Sequence, residues 1–385
     1  MIAAPTLKGM TWRHRRAISP LLAATASFQA IHPDIVVTWD ARPLHGFEFA
    51  SVAELARHYD LVVFDHPFVG EIAASGCLMP LDERITLDDG SFVGPSLATY
   101  RYADHVWAAP IDAACQVAAF RPDLLARLDA EVPRSFSDGL DLGRRASRVG
   151  LKLAIAMAGV HSLMTFFTLC AAAGRPCSQD PKQPFCDRDT AYAALELMRA
   201  ILALCAPECR DWNSIVLHES MIARDDLVYC PAVYCYATYA ESDMRRPLRF
   251  ADLPTIERGG EPRGSTVGGA GIGVSASAPE IAAVFARYLT DASAQRLFAE
   301  HHGQPARIEP WRDAEIDTRF GGAFSSTIRT MELSWVRPRY HGYHGFQAEG
   351  GRLVDAYLRR EIAKEDVLDR LERLHGAAGR GDYRH

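Results

Sequence analysis

The sequence predicts an α/β chain of two domains, each a mostly parallel sheet flanked by helices, and three observations carry that prediction. Strand and helix patterns alternate through the first hundred residues. A glycine-rich strand at Gly268–Val274, followed by apolar residues three and four apart over Ile281–Phe298, brings the same pattern back late in the chain. With 385 residues, the chain is long enough to build two cores. Strands that alternate with helices imply parallel pairing covered on both faces.

The elements follow in order. Thr6–Trp12 reads as a strand, and Ser19-Pro20 as the opening of a helix running to about Ile31. Ile35–Trp39 is a second strand, Val52–His58 a short helix, and Leu61–Phe64 a fully apolar strand that ends in Asp65-His66-Pro67. Ile111–Cys115 marks a crossover into the second domain. Leu153–Gly174 runs over twenty residues without a charge, long enough for a membrane span. Its Gly, His, Ser and Thr residues divide it instead into a buried strand at Lys152–Ala156, a turn, and a helix at His161–Ala173 that stops at Gly174. A helix at Thr190–Leu204, a strand at Leu227–Cys230 and a loop at Pro254–Gly264 follow. Phe346–His375 reads as one or two amphipathic helices, with Gly376–His385 frayed beyond them. The resulting boundaries are 5–113 plus 268–312 for one lobe and 116–264 plus 313–378 for the other. Two crossovers near 112–116 and 264–268 would form a hinge.

Composition removes several function classes. Asp and Glu number 48 against 42 Lys and Arg, for a net charge of −6, so no basic face for nucleic acid is expected. No repeat of solenoid length is present. The nine cysteines lack Cys-x-x-Cys spacing, which excludes the usual zinc and redox motifs and reads as buried small hydrophobes in a reducing compartment. Gly268, Gly269, Gly271 and Gly273 do not fit a nucleotide loop, and no Gly-x-Ser-x-Gly or His-Glu-x-x-His occurs. No metal and no cofactor is expected. No basic segment with an apolar run and cleavage site precedes the first strand. The chain as it stands is therefore expected in the cytoplasm, or in the periplasm if a signal peptide has been removed.

Several segments, in this order, resemble family 1 extracellular solute-binding proteins, the receptors of ABC importers. They are Asp60–Asp65, the crossover Pro110–Leu125, the aromatic run Tyr229–Ala240, and Gly268–Glu280 with Ala294-Gln295 and His302-Gly-Gln-Pro-Ala-Arg307. Trp335-Val-Arg-Pro-Arg339 before the terminal helices completes the set. The resemblance implies a two-lobed periplasmic-binding-protein-like fold that closes around a small solute, with an ABC permease as partner. The ligand would be a sugar or an organic acid. Thiaminase I shares that fold and uses a cleft cysteine, so the alternative is a cytosolic enzyme with Cys115 as nucleophile. Here the loop Tyr236-Ala-Thr-Tyr239 lacks the acidic residue such an enzyme needs.

Candidate ligand residues follow from the rule that solutes bind beyond the carboxyl ends of strands and against helix N-termini. Trp12, His14 and Arg15 follow the first strand, Arg42 the second, and Asp65 and His66 the third. Asp112 and Gln116 lie at the crossover, and Gly269 is on the returning strand. His161 starts a second-lobe helix beside Ser162, its plainer cap. Tyr234 and Tyr236, with Tyr239, offer a stacking platform. Arg337 adds positive charge. Together with the basic turn at Arg13–Arg16, it points to an acidic group on the ligand.

Overall fold

The computed structural model describes residues 6–43 and 51–379. In chain order the first elements are β1 (Thr6–Trp12), α1 (Arg15–Ile31), β2 (Val36–Arg42), α2 (Val52–Ala56), β3 (Leu61–Phe64) and α3 (Val69–Ser75). Next come β4 (Ala109–Phe120), α4 (Pro122–Arg127), α5 (Phe136–Ser147), β5 (Lys152–Leu153), α6 (Val160–Ala172) and α7 (Arg188–Leu202). They are followed by α8 (Ser214–Ala223), β6 (Leu227–Tyr234), β7 (Arg249–Ala251) and β8 (Val267–Val274). The last are α9 (Ile281–Tyr288), α10 (Ala292–Glu300), α11 (Tyr343–Leu358) and α12 (Lys364–Gly379). The chain divides into two compact units, Met1–Ala113 with Gly268–Asp317 and Ala114–Val267 with Thr318–His385. It therefore passes between the units at Ala113/Ala114, Val267/Gly268 and Asp317/Thr318.

The first unit orders its strands β2-β1-β3-β8-β4. β1 is parallel to β2 and β3, and β8 returns antiparallel to β3. The four residues of β3 and the second half of β1 are buried, as strands covered by helices on both faces must be. Trp39 lies flat across Gly9, its partner in the β1–β2 register, and donates to Thr25 Oγ1 on α1 at 2.9 Å. Phe28 of α1 then meets Phe285 of α9 edge-on at 4.9 Å, closing the core over the sheet.

The second unit orders its strands β4-β6-β5, with β7 also on β4. β6 is antiparallel to β4 and parallel to β5. Every residue of α6 is buried, because the helix packs on α7, α11 and β6. A helix apolar all round needs such enclosure. Gly351 makes it possible, since a Cβ there would lie 2.6 Å from the Gly159 carbonyl oxygen. Among the described residues no helix is long and apolar enough to cross a membrane. Arg121 is fully buried, donating to the Met221 and Arg224 carbonyls at the end of α8 and to both Asp123 oxygens.

Some boundaries differ from the sequence expectation. α1 starts at Arg15 with His14 as its cap, so Pro20 is inside the helix and Ser19 caps nothing. Lys152–Ala156 is a strand only at its first two residues. The Ile281–Phe298 helix is two helices, because Gln295, fully buried, donates to the Leu289 carbonyl at 2.8 Å and accepts from Ala306 N at 2.7 Å. Gly376–Gly379 belong to α12, and 380–385 lie outside the described residues, as do 1–5.

Candidate functional site

In the first unit the candidate residues collect where β1 and β3 end and β4 begins. Trp12 ends β1 and is 5% exposed. His14 caps α1 by accepting from Arg16 N at 3.1 Å. Burial first, then Arg16 and Arg15, drive its pKa down to about 3. The imidazole is thus neutral at ordinary pH.

Arg16, the next residue into the helix, is fully buried. Its guanidinium grips the Asp112 carboxylate in two bonds of 2.7 and 2.6 Å. Burial raises the Asp112 carboxyl, Arg16 opposes this, and nearby Asp65 adds to it. The Asp112 backbone cannot give way. Ala113 N donates to Gln304 O at 3.0 Å, Gln304 Nε2 donates back to Ala113 O at 2.7 Å, and Gly269 packs against the Asp112 carbonyl. Gly269 has φ +109°, and a Cβ would come within 2.3 Å of that oxygen. Asp65 caps the turn at His66–Phe68 through His66 N at 2.8 Å, and its carboxylate is 3.0 Å from His66 Nδ1. His66 is buried, edge-on to Tyr100.

Two basic candidates lie outside this cluster. Arg42 stacks over the Tyr59 ring at 5.7 Å, and Arg13 reaches the Ala41 carbonyl. Arg15 is only half-buried. Sequence reasoning put Arg16 in the basic turn ahead of the helix and missed its place inside α1. The signal was present: Ala17, Leu21, Ala24 and Phe28 repeat at helical spacing, and extending that face backward starts the helix before Arg16.

In the second unit the candidates form a polar and aromatic chain. His161 sits in the first turn of α6, whose N-cap is Gly159 with φ +54° and no side-chain cap. Ser162 does not cap the helix. It donates to the carbonyls of Gly159 and Gly351, fastening α6 to α11. Burial, with the Arg337 charge second, lowers the His161 pKa to about 4. His161 Nδ1 is 3.4 Å from Ser214 Oγ, and His218 Nδ1 meets the Ser214 carbonyl. His218 stacks on Tyr239 at 5.1 Å and lies 5.7 Å from Tyr236. Arg337, buried, donates to Gln347 Oε1 on α11 at 3.0 Å.

Gln116 faces Tyr234 across the β4–β6 pairing, and its N–H donates to Thr266 O. Thr266 in turn bonds α6 through Thr168 Oγ1 and the Met164 carbonyl. Gln116 Oε1 and Thr165 Oγ1 are buried with no hydrogen-bond partner among the described residues. Each such group costs about 1–3 kcal/mol unless a partner arrives. Cys115 points the other way along β4, beside the Ser265 and Ser334 hydroxyls. Burial pushes its pKa up to about 12, which keeps it a neutral thiol and a poor nucleophile.

Among the described residues no cluster of three His, Cys, Asp or Glu side chains has metal-binding geometry. A separate cavity of about 1200 Å³ in the second unit is lined by Phe120, Leu125, Arg134, Leu253 and Arg258, and includes none of the candidate residues.

No family model matches the chain, and no curated protein matches it. Solved structures do. An ABC transporter solute binding protein from Thermotoga lettingae TMO, bound with alpha-D-tagatose, aligns with TM-score 0.84 at 15% identity, over 97% of this chain and 99% of that one. Maltose-bound MalE3 of T. maritima aligns with TM-score 0.81 at 18% identity, over 97% and 99%. UgpB from Mycobacterium tuberculosis, in complex with glycerophosphocholine, aligns with TM-score 0.78 at 16% identity, over 97% and 98%. At these identities the likeness speaks for the fold, and its coverage is nearly complete: this chain has the two-lobed fold of ABC-transporter solute-binding proteins.

Proposed function

We propose that the chain is a solute-binding protein of the ABC-importer receptor type, closing its two units around a small neutral polar molecule such as a sugar or polyol. The full-length fold likeness carries the reading. Neighbours of the same fold were solved with maltose, tagatose and glycerophosphocholine.

The charge state of the candidate residues narrows the ligand. Arg16 is committed to Asp112, and His14 and His161 are neutral. The basic turn after β1 therefore offers less positive charge than the sequence suggested, which favours hydroxyl groups over a carboxylate. Gln116 and Thr165 supply buried polar atoms that a hydroxyl-rich solute would satisfy. Trp12, His66, Asp65 and Gly269 from one unit, and His161, Tyr234, Tyr236 and Arg337 from the other, are the proposed contacts. The passages at Ala113/Ala114 and Val267/Gly268 are the proposed hinge.

An importer receptor delivers to a permease at the outer face of the cytoplasmic membrane, so the proposed partner and location go together. Cell fractionation tests the location. A thermal-shift screen of the chain against sugars, polyols and organic acids, followed by calorimetry and small-angle scattering, tests the rest. A neutral polyhydroxylated ligand should bind saturably, emerge chemically unchanged and compact the particle. Turnover of the ligand would overturn the receptor reading, and preferential binding of acids would overturn the ligand class.

A further inference from the structure

Three thiols meet in the second unit outside the candidate site. Cys170 lies in the last turn of α6, and Cys177 and Cys186 stand in the segment leading to α7. Gly174, with φ +77°, turns the chain after the helix, and the segment then doubles back so that Ser178 N donates to Phe185 O at 2.7 Å. That bond joins the peptide unit following Cys177 to the peptide unit preceding Cys186, so the two cysteines flank the same contact. The Cys177 thiol is within hydrogen-bonding reach of both Cys186 and Cys170. Cys177 is buried, whereas Cys186 is half-buried and open to a small reagent.

The segment is also anchored. Phe185 packs on Phe346 and Phe167 at 5.4 and 6.1 Å, and its N–H donates to the Glu372 carboxylate. Gln179 Nε2 donates to the Val336 carbonyl at 2.6 Å, the residue before Arg337. Two thiols in contact within an anchored segment are preorganised for a covalent bond.

We propose that Cys177 and Cys186 form a reversible disulfide by exchange with a small-molecule disulfide such as oxidised glutathione. The Cys186 thiolate attacks one sulfur of the oxidant, giving a mixed disulfide and releasing one glutathione thiolate. Cys177 then loses its proton and attacks the Cys186 sulfur, releasing the second glutathione. Two protein thiols are oxidised and one glutathione disulfide is reduced to two thiols, so atoms and electrons balance. Cys205, Cys209 and Cys230 form another thiol group, but all three are buried, so no exposed sulfur opens a route to them.

The test incubates the native chain with oxidised glutathione, alkylates without reduction and maps the peptides. Most chains should yield a peptide joining Cys177 to Cys186 that dithiothreitol releases, with Cys205, Cys209 and Cys230 still free. Oxidation should raise the thermal midpoint by a few degrees in the wild type, because the cross-link restricts the unfolded chain. The half-buried Cys186→Ser should show neither the linked peptide nor the shift. Glutathione attached at Cys77 without any Cys177–Cys186 peptide would overturn the proposal. So would a product linking Cys170 to Cys177, or Cys205 to Cys209, in its place.

Discussion

Asp112→Asn is the perturbation whose cost follows most directly from the structure. The carboxylate accepts two short bonds from Arg16, and the two side chains are 5% and 3% exposed. Replacing the acid by an amide removes the negative charge and turns one acceptor into a donor aimed at a guanidinium. Arg16 is then left charged and enclosed. Removing one partner of a buried pair costs about 3–5 kcal/mol. Asn keeps one acceptor, so the low end, about 3 kcal/mol, is expected. Relaxation offers little relief, because Gln304 and Gly269 clamp the Asp112 backbone. The double replacement Arg16→Met with Asp112→Leu removes both charges and should recover most of the loss, to within about 1 kcal/mol of wild type. Urea unfolding followed by tryptophan fluorescence reads this out, since Trp12, Trp39, Trp107 and Trp311 are all in the affected unit. Hydrogen exchange at the α1 amides localises the effect. If Asp112→Asn costs less than about 1 kcal/mol, or the double variant is no better than the single, the pair is not an enclosed anchor.

Three further outcomes are expected. His161 is neutral in the fold with its pKa lowered to about 4, so between that value and 6.5 the unfolded chain binds a proton the folded chain does not. Stability is then full above pH 6.5 and declines by about 3 kcal/mol as pH falls to 4. His161→Gln should flatten that part of the stability curve, and an unchanged curve would contradict the assignment. Gly269→Ala places a methyl at positive φ against the Asp112 carbonyl, which should lower stability by about 1–3 kcal/mol in the same urea assay. Cys115→Ser should leave ligand affinity within about 1 kcal/mol, and the wild-type thiol should resist alkylation at pH 8 in the folded chain. An adduct at Cys115 that tracks with product formation would instead favour catalysis.

What the sequence revealed depended on how local the physics was. β3 appears where its apolar run placed it, because a strand enclosed by helices has to be apolar throughout, and β1 meets that demand only in its buried second half. The charge-free stretch before Gly174 resolved into a short strand, a turn and a helix, since Gly159 and Gly174 both adopt positive φ that interrupts it. The start of α1 was misread because Ser19-Pro20 has the composition of a helix start. The actual start depends on a histidine side chain accepting a backbone N–H and on an ion pair to a residue 96 positions away. Neither leaves a local trace. Gln295 shows the intermediate case. The Ala-Gln pair was visible as a motif, but its purpose is to bridge the break between α9 and α10 to the Ala306 amide, and only the fold displays that. His218 and Ser214 went unnoticed for the same reason, because what joins them to His161 is the packing of α8 on β6.

Each unit places a histidine at the start of a helix and keeps it neutral. His14 caps α1 beside Arg15 and Arg16, and His161 opens α6 under the influence of Arg337. A protonated imidazole only donates hydrogen bonds, whereas a neutral one donates from one nitrogen and accepts at the other. Because His14 Nδ1 accepts from the Arg16 amide, its proton is on Nε2, which leaves a single fixed donor. A hydroxyl both donates and accepts, so it can pair with a neutral imidazole in either tautomer. A carboxylate only accepts and gains most from full positive charge. Burial, with the neighbouring arginines adding to it, thus works against charge on either imidazole, and it does so separately in each unit. Burial first, and the arginines that looked like an anion site in the sequence second, keep these imidazoles neutral, which is why the proposed ligand is a polyhydroxylated solute rather than an organic acid.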